Sequence, residues 1–454
     1  MVAIQKLSGA GASSLLLLIT QSMLVHSLQI DDKDDILKTS KTLAADLMSF
    51  YHGNESGEIP GLLPEDNSKK GEPPTGYFWY QSGAFMSSYI DYWQLTGDET
   101  YNDIVKQGML WQTGQNKDFL PANQTMELGN DDQAVWAMGA LTASEYGFPN
   151  PHPGDAQWLD LAVSVWETQR LRWDAEIDNG TCKGGLRWQI APFNAGYDYK
   201  NTASNGFFFS LGARLARLTR NETFADYAEQ TWDWMYDTKL INNKTWAVYD
   251  GTKVEEDCSV INKLQFSPGA ASLTMGAAFM YNYTDGSNEW KERVEKITKA
   301  TLGFFFEKKG YFEEASCSSD NTCPRDLPTY EALSLRWFAV ASQVAPFMSD
   351  KILPYLANTA EKSEAKKKGK GALEQTLATF AAVSNLLIAD SPALRMQNET
   401  DKSKDNKTDD DSGSGSSGST SENNDGDAEN NGSAAYSTGL AVILPVCLLF
   451  MSLL

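Results

Sequence analysis

The chain has 454 residues, 41% of them hydrophobic, with 38 Lys and Arg against 60 Asp and Glu for a formal net charge of −22. That is enough apolar material for a large core. The acidity argues against nucleic acid, whose phosphates need clustered cations, and favours a neutral or cationic partner. Histidine is scarce: His26, His52 and His152 are the only three. A His-rich metal site and a Ser-His-Asp triad are nearly excluded, and nothing points to a metal or an organic cofactor. Carboxylates are the candidates for chemistry at neutral pH.

Residues 1–27 read as a secretory signal peptide: Lys6, the apolar stretch SLLLLITQSMLV and a small residue, Ser27, before a cleavage ahead of Leu28. A buried N-terminal helix is the alternative. From 28 to 390 the apolar residues recur at three- and four-residue spacing, as in LAVSVWETQRL and LEQTLATFAAVSNLL. Three segments share one layout of aromatic-rich helix, polar turn and second helix. They are GAFMSSYIDYWQL-TGDETY-NDIVKQGMLW, FFFSLGARLARL-TRNETF-ADYAEQTWDWM and MGAAFMYNY-TDGSNEW-KERVEKITKATLGFF. The turns near Thr96, Thr219 and Thr284 carry Thr, Asp or Asn, the residues that cap helix N-termini. Hairpins at about 60-residue intervals imply stacked helix pairs, and six of them fill 28–390. The expected fold is all-α, a closed (α/α)6 toroid of helical hairpins, in preference to an open solenoid. The run 362–371, KSEAKKKGKG, reads as a solvated loop.

Residues 391–431 form an expected disordered acidic stalk rich in Ser, Gly and Asn, too polar to bury anything. Residues 399–431 hold ten acids and three lysines, −7 of the −22, so most of the charge belongs to the folded part. The chain closes with the uncharged LAVILPVCLLFMSLL, which is short for a membrane span of about 20 residues. Small residues followed by a spacer and this tail have the layout of a GPI-attachment signal, with 432–454 as the removed propeptide. Asn431 is the preferred attachment residue, with Gly432 and Ser433 as alternatives. The protein is thus expected at the outer face of the plasma membrane, tied through a GPI lipid.

Cys447 falls in that tail, leaving Cys182, Cys258, Cys317 and Cys323. An even number in an oxidising compartment suggests two disulfides, Cys317–Cys323 closing a small loop and Cys182–Cys258 the other. A zinc site is the competing use of four cysteines. Sequons at Asn54, Asn123, Asn179, Asn221, Asn243, Asn282, Asn398 and Asn406 point to a glycoprotein.

The chemistry centres on GNDDQAVWAMGAL, which puts Asp131 and Asp132 at a helix start. Acids there also cap helices and complement the macrodipole, so a purely structural role competes. Glycoside hydrolysis needs two carboxyl groups across the scissile bond. At about 5–5.5 Å apart, one serves as nucleophile and the other as acid/base. Two close carboxylates raise one partner's proton affinity, which keeps an acid protonated.

These residues, with NDDQAVWAMGALTASEYGFPNP, CKGGLRWQI, YKNTASNGFFFSLGARLARLT, VYDG and DYWQLTGDETY, resemble glycoside hydrolase family 76, the α-1,6-mannanases. Within it the chain is similar to the fungal GPI-anchored mannan endo-1,6-α-mannosidases linked to cell-wall assembly. The resemblance spans about 30–390 and implies an (α/α)6 toroid. It also implies Asp131 as nucleophile and Asp132 as acid/base of a retaining double displacement. Trp79, Tyr80, Trp136 and Trp188 become candidate sugar-stacking platforms, with core packing as the rival role. Lys200, Asn205 and Asp250 become candidates for holding sugar hydroxyls, with capping and local salt bridges as theirs. The chain departs from the family pattern at Trp79-Tyr80-Gln81, Phe266-Ser267-Pro268-Gly269 and Tyr330-Glu331, where Trp-Trp-Glu, Trp-Ser-Tyr-Asn and Phe-Lys are expected.

Three functions fit these residues: hydrolysis of α-1,6-mannosidic bonds, transfer of a GPI-linked glycan from GPI-anchored glycoproteins onto wall β-glucan, and non-catalytic binding of mannan as a wall scaffold. All three take α-1,6-mannose-containing glycans as partner.

Overall fold

A computed structural model of the protein describes residues 28–64, 76–124, 128–178, 180, 182–315, 326–363 and 371–397. The signal peptide, the stalk beyond 397, Asn431 and its propeptide, Cys317, Cys323, Asn179, Asn398, Asn406 and positions 364–370 lie outside the described residues.

Twelve α-helices are present among the described residues: α1 (Lys33–Met48), α2 (Trp79–Thr96), α3 (Asn102–Trp111), α4 (Asn130–Tyr146), α5 (Trp158–Ile177), α6 (Thr202–Thr219), α7 (Glu222–Asp237), α8 (Ser267–Tyr283), α9 (Asn288–Phe305), α10 (Leu327–Val344), α11 (Ser349–Lys362) and α12 (Ala372–Ser384). The even-numbered helices are buried over almost their whole circumference. In α4 nearly every residue from Gln133 to Tyr146 is buried, and α8 is buried from Ser267 to Met280. Only an inner helix has neighbours on all sides. The odd-numbered helices are one-sided: α7 buries Phe224, Ala225, Ala228, Thr231, Trp232, Trp234 and Met235 and leaves its acids in solvent.

Each inner helix packs on the next, α2 to α4, α6, α8, α10 and α12, and α12 returns to α2. Outer helices α3, α5, α7, α9 and α11 each cover the inner helix before them, while α1 covers α12. This is the (α/α)6 toroid expected from the hairpin repeat. The threonines at the three turns act differently from the expectation. Thr96, Thr219 and Thr284 each donate a hydroxyl to the carbonyl four residues back, those of Tyr92, Leu215 and Met280, so they finish the inner helix. Among those turns only Asn221 caps the following helix, accepting from the Thr223 N–H.

Close approach within the ring depends on small residues. A methyl group added at Gly83 of α2 would lie 3.0 Å from the Trp136 ring of α4. Trp136 is 0% exposed, stacked between Trp79 (ring centroids 5.0 Å apart) and Phe119 (5.7 Å). It is therefore core packing, and its assignment as a sugar platform is corrected.

The two ends of the ring differ. Helices α2, α4, α6, α8 and α10 all begin at one cleft. Towards the other end, the Arg214–Glu145 pair (2.6 Å) joins α6 to α4, and the Arg336–Asp91 pair joins α10 to α2. There the start of the segment expected as stalk is instead latched to the domain, with Leu394 buried: Arg395 N–H donates to the Glu145 carbonyl (2.8 Å), and Arg217 donates to the carbonyls of Leu394 and Arg395 (2.9 Å each).

A small antiparallel sheet, too short to show alternation in the sequence, edges the cleft. Its strands β1 (Tyr199–Asn201), β2 (Gly251–Lys253) and β3 (Ile261–Asn262) lie in that order, with Asn201 opposite Gly251 and Gly251 opposite Asn262. The Cys182–Cys258 disulfide, one of the two expected, ties the loop before β1 to the turn between β2 and β3.

Candidate active site

The cleft has a volume of about 480 Å³, within the range of small-ligand sites. Asp131, Asp132, Asp250 and Asp326 line it, and no Lys, Arg or His does so among the described residues. Five helix N-termini converge on it, and their partial positive charge favours anionic groups there. Among the described residues no group of three His, Cys, Asp or Glu side chains is placed to hold a metal ion.

Asp131 and Asp132 sit in the first turn of α4, after Gly129. Asp131 Oδ1 accepts from the Asp132 N–H (3.0 Å), and its Oδ2 accepts from Asn201 Nδ2 (2.9 Å). Asp132 Oδ2 accepts from the Gly129 N–H (2.7 Å). Removal from water raises the Asp131 carboxyl to about 6. The hydrogen bonds from Asn201 and from the backbone restrain it, and the charge of Asp250 adds to it. Asp132 is pushed well above the ordinary carboxylate range, first by burial and then by the charges of Asp131 and Asp326. Two adjacent acids in one turn thus differ in proton affinity, the arrangement that divides acid from nucleophile.

The remaining expected residues divide sharply. Trp188 is 38% exposed and lines the cleft. Its carbonyl accepts from Asn130 N–H, which sets it beside the start of α4. Tyr80 lines the cleft too and donates its hydroxyl to Asp326 Oδ2 (3.4 Å). Trp79 reaches the cleft wall but is largely buried, its Nε1 donating to Gln112 (2.9 Å). Asp250 faces the cleft and accepts from the Tyr199 hydroxyl (2.6 Å) and from Asn262 (2.9 Å).

Two assignments are corrected. Lys200 is fully buried, paired with Glu176 (3.0 Å) and donating to the Gly184 carbonyl (2.5 Å), so its ammonium turns away from the cleft. Asn205 is equally buried. It bonds both backbone groups of Leu186 and the Asn201 carbonyl, and so braces the wall from behind.

Other cleft residues carry no functional assignment from the sequence, notably Asn201, Tyr199 and Asp326. The family departures meet in space. The Phe266 and Tyr330 rings, both lining the cleft, lie edge to face 6.1 Å apart, and Gln81 donates to Thr329 (2.8 Å) next to Tyr330. A signal for Asn201 did exist: Asn-Thr-Ala-Ser before the apolar run FFFSLGARL is an N-cap pattern.

The sequence model of glycosyl hydrolase family 76 matches residues 35–394. Mannan endo-1,6-alpha-mannosidase DCW1 of Saccharomyces cerevisiae is 37% identical over 334 residues, 73% of this chain and 71% of that protein. The crystal structure of Dfg5 from Chaetomium thermophilum in complex with glucosamine is similar at 43% identity and a TM-score of 0.76, covering 82% of this chain and 94% of that one. An alpha-1,6-mannanase of Salegentibacter sp. HEL1_6, solved as an inactive variant with alpha-1,6-mannotriose, shares the fold. Its identity is 15% and its TM-score 0.61, over 78% of this chain and 99% of that one.

Proposed function

The chain belongs to glycosyl hydrolase family 76, and on that premise we propose that it is a mannan endo-1,6-α-mannosidase, a glycoside hydrolase working by retention on α-1,6-linked mannose of cell-wall or GPI glycans. One observation carries the reading: two adjacent carboxyl groups, Asp131 and Asp132, stand together in the first turn of α4 and line a cleft edged by Trp188 and Tyr80.

In the first step the ionised Asp131 forms a bond to the anomeric carbon. The glycosidic C–O bond breaks, and its electron pair takes the proton of Asp132. In the second step the ionised Asp132 removes a proton from water, whose oxygen displaces Asp131 from the sugar. Trp188 offers an exposed indole face for a sugar ring.

A second reading keeps the same two carboxyl groups and replaces water by a sugar hydroxyl, so that a glycan is transferred to wall β-glucan. It is favoured by the glucosamine held by the Chaetomium thermophilum relative. The cleft of this chain, with four aspartates and no lining cation among the described residues, suits the ammonium of an amino sugar such as GPI glycans contain. Incubation with α-1,6-mannotetraose, with and without a β-glucan acceptor, separates the two readings. New reducing ends support hydrolysis, and a longer conjugate supports transfer. Absence of both products, with binding intact in D131N and D132N, would leave only a mannan-binding role.

The protein is further proposed to follow the secretory pathway and to work at the cell wall from a GPI anchor at Asn431. The exposed sequon residues Asn54, Asn123, Asn221 and Asn243 and the Cys182–Cys258 bond support this route. Arg395 lies at the end of α4 away from Asp131 and Asp132, its N–H donating to the Glu145 carbonyl. Release by phosphatidylinositol-specific phospholipase C and a mobility shift on deglycosylation test the proposal.

A further inference from the structure

We infer that Asn201 is a positioning residue that makes Asp131 the nucleophile of the pair, by presenting a fixed amide donor to one of its oxygens. The inference deepens the glycosidase reading and rests on it.

The orientation of the amide is set from the far side. Asn201 is the N-cap of α6, and its Oδ1 accepts from the Ser204 N–H at 3.1 Å. A backbone N–H only donates, so the oxygen must face Ser204 and the NH₂ must face Asp131. That NH₂ lies 2.9 Å from Asp131 Oδ2. The backbone beneath it is held as well. Asn201 is paired with Gly251 in the sheet, its carbonyl accepts from Asn205 Nδ2 (2.8 Å), and the side chain is buried.

Both oxygens of Asp131 therefore meet groups that donate and cannot accept, the Asn201 amide and the Asp132 N–H. Such bonds favour the carboxylate over the acid. Among the described residues Asp132 has no equivalent side-chain donor; its Oδ2 accepts the Gly129 N–H, and the charge of Asp131 favours its protonated form. The proton of the pair is thus directed to Asp132. Asp131 keeps the lone pair that bonds to the anomeric carbon, and Asp132 keeps the proton that the departing oxygen takes.

Two substitutions separate this role from helix capping. Asn201→Asp keeps an oxygen for the Ser204 N–H but replaces the donor facing Asp131 with a further carboxylate. Asn201→Ser also caps α6 and is too short to reach Asp131. With α-1,6-mannotetraose, both variants are expected to lose about 10- to 100-fold in kcat. KM should change less than about threefold, and the acidic limb of the pH–rate profile should rise by about one pH unit. Carbon-13 NMR titration of the aspartate carboxyls, with the Asp131 signal identified by its loss in D131N, follows the same shift without needing turnover. A folded Asn201→Asp or Asn201→Ser protein whose Asp131 titration and acidic limb match wild type would overturn the inference. So would a shift confined to Asp132. If the wild-type protein does not cleave the tetraose, the substrate reading fails, and the NMR titration still decides the role of Asn201.

Discussion

Asp131 accepts a hydrogen bond from the backbone N–H of Asp132 at 3.0 Å, so the two carboxyl groups of the cleft are coupled through the first turn of α4 as well as through space. Each is destabilised as an anion by burial. Their proton affinities in the folded protein lie above those in the unfolded chain. The associated stability is complete at pH values below the ordinary carboxylate range and is lost as pH rises through about 6 for Asp131 and higher for Asp132. Asp131→Asn and Asp132→Asn are expected to lower kcat by about 10²- to 10⁴-fold. Each should raise Tm by about 1–3 °C at pH 7.5 and leave it unchanged near pH 3.5, measured by scanning calorimetry. Residues that served only to cap α4 would instead lose Tm when replaced.

The pH dependence of kcat/KM should be bell-shaped. Activity falls on the acid side as Asp131 takes up a proton, with a limb near its value of about 6. On the alkaline side it falls as Asp132 loses the proton it must deliver. Initial rates on α-1,6-mannotetraose across pH 4–9 check this, and a flat acidic limb down to pH 4 would contradict it.

Trp136 and Trp188 should behave as opposites. Trp136→Ala opens a hole between Trp79 and Phe119 and should cost about 3–5 kcal/mol of stability by denaturant unfolding. Trp188→Ala removes a half-exposed indole at the cleft; it should leave Tm nearly unchanged and weaken sugar binding about 2- to 10-fold, read from KM or calorimetry.

That contrast shows how far the sequence reaches. Adjacent acids after Gly129 and before an apolar helix were readable as a site, because the helix start is local and the histidine shortage left few other chemistries. Trp136 stands four residues after Asp132 on the same helix, and nothing local distinguishes an indole aimed down the ring from one facing the cleft. Lys200 is misleading for a related reason: its partner Glu176 is 24 positions earlier in the chain, and only the folded wall shows that the charge is spent inside. Asn201, 70 residues from Asp131, needed the ring to close before the two could meet. The hairpin repeat was legible because twelve helices alternate between all-round and one-sided burial. The two- and three-residue strands were not, since they are too short to alternate.

Lys200 should therefore matter for stability and not for sugar contact. Lys200→Met leaves Glu176 with Arg187, which still binds it at 2.7 Å, so the loss should sit near the lower end of the about 3–5 kcal/mol typical of a broken buried pair. KM of the folded fraction should match wild type. A raised KM with unchanged Tm would return Lys200 to the sugar site.

The Cys182–Cys258 bond spans a sequence separation of 76 residues and braces the loop that leads to Trp188 and β1. Replacing both cysteines by serine should lower stability by about 4.5 kcal/mol on the loop-entropy scale. Chemical unfolding with and without the bond measures it.

The most direct test of the account is proton NMR of the anomeric signals during the first turnovers of α-1,6-mannotetraose with the wild-type, D131N and D132N proteins. Wild type should release the new reducing end as the α-anomer before mutarotation, and either variant should release almost none. Initial release of the β-anomer, or undiminished cleavage by D131N, would contradict the assignment of Asp131 as nucleophile and Asp132 as acid/base.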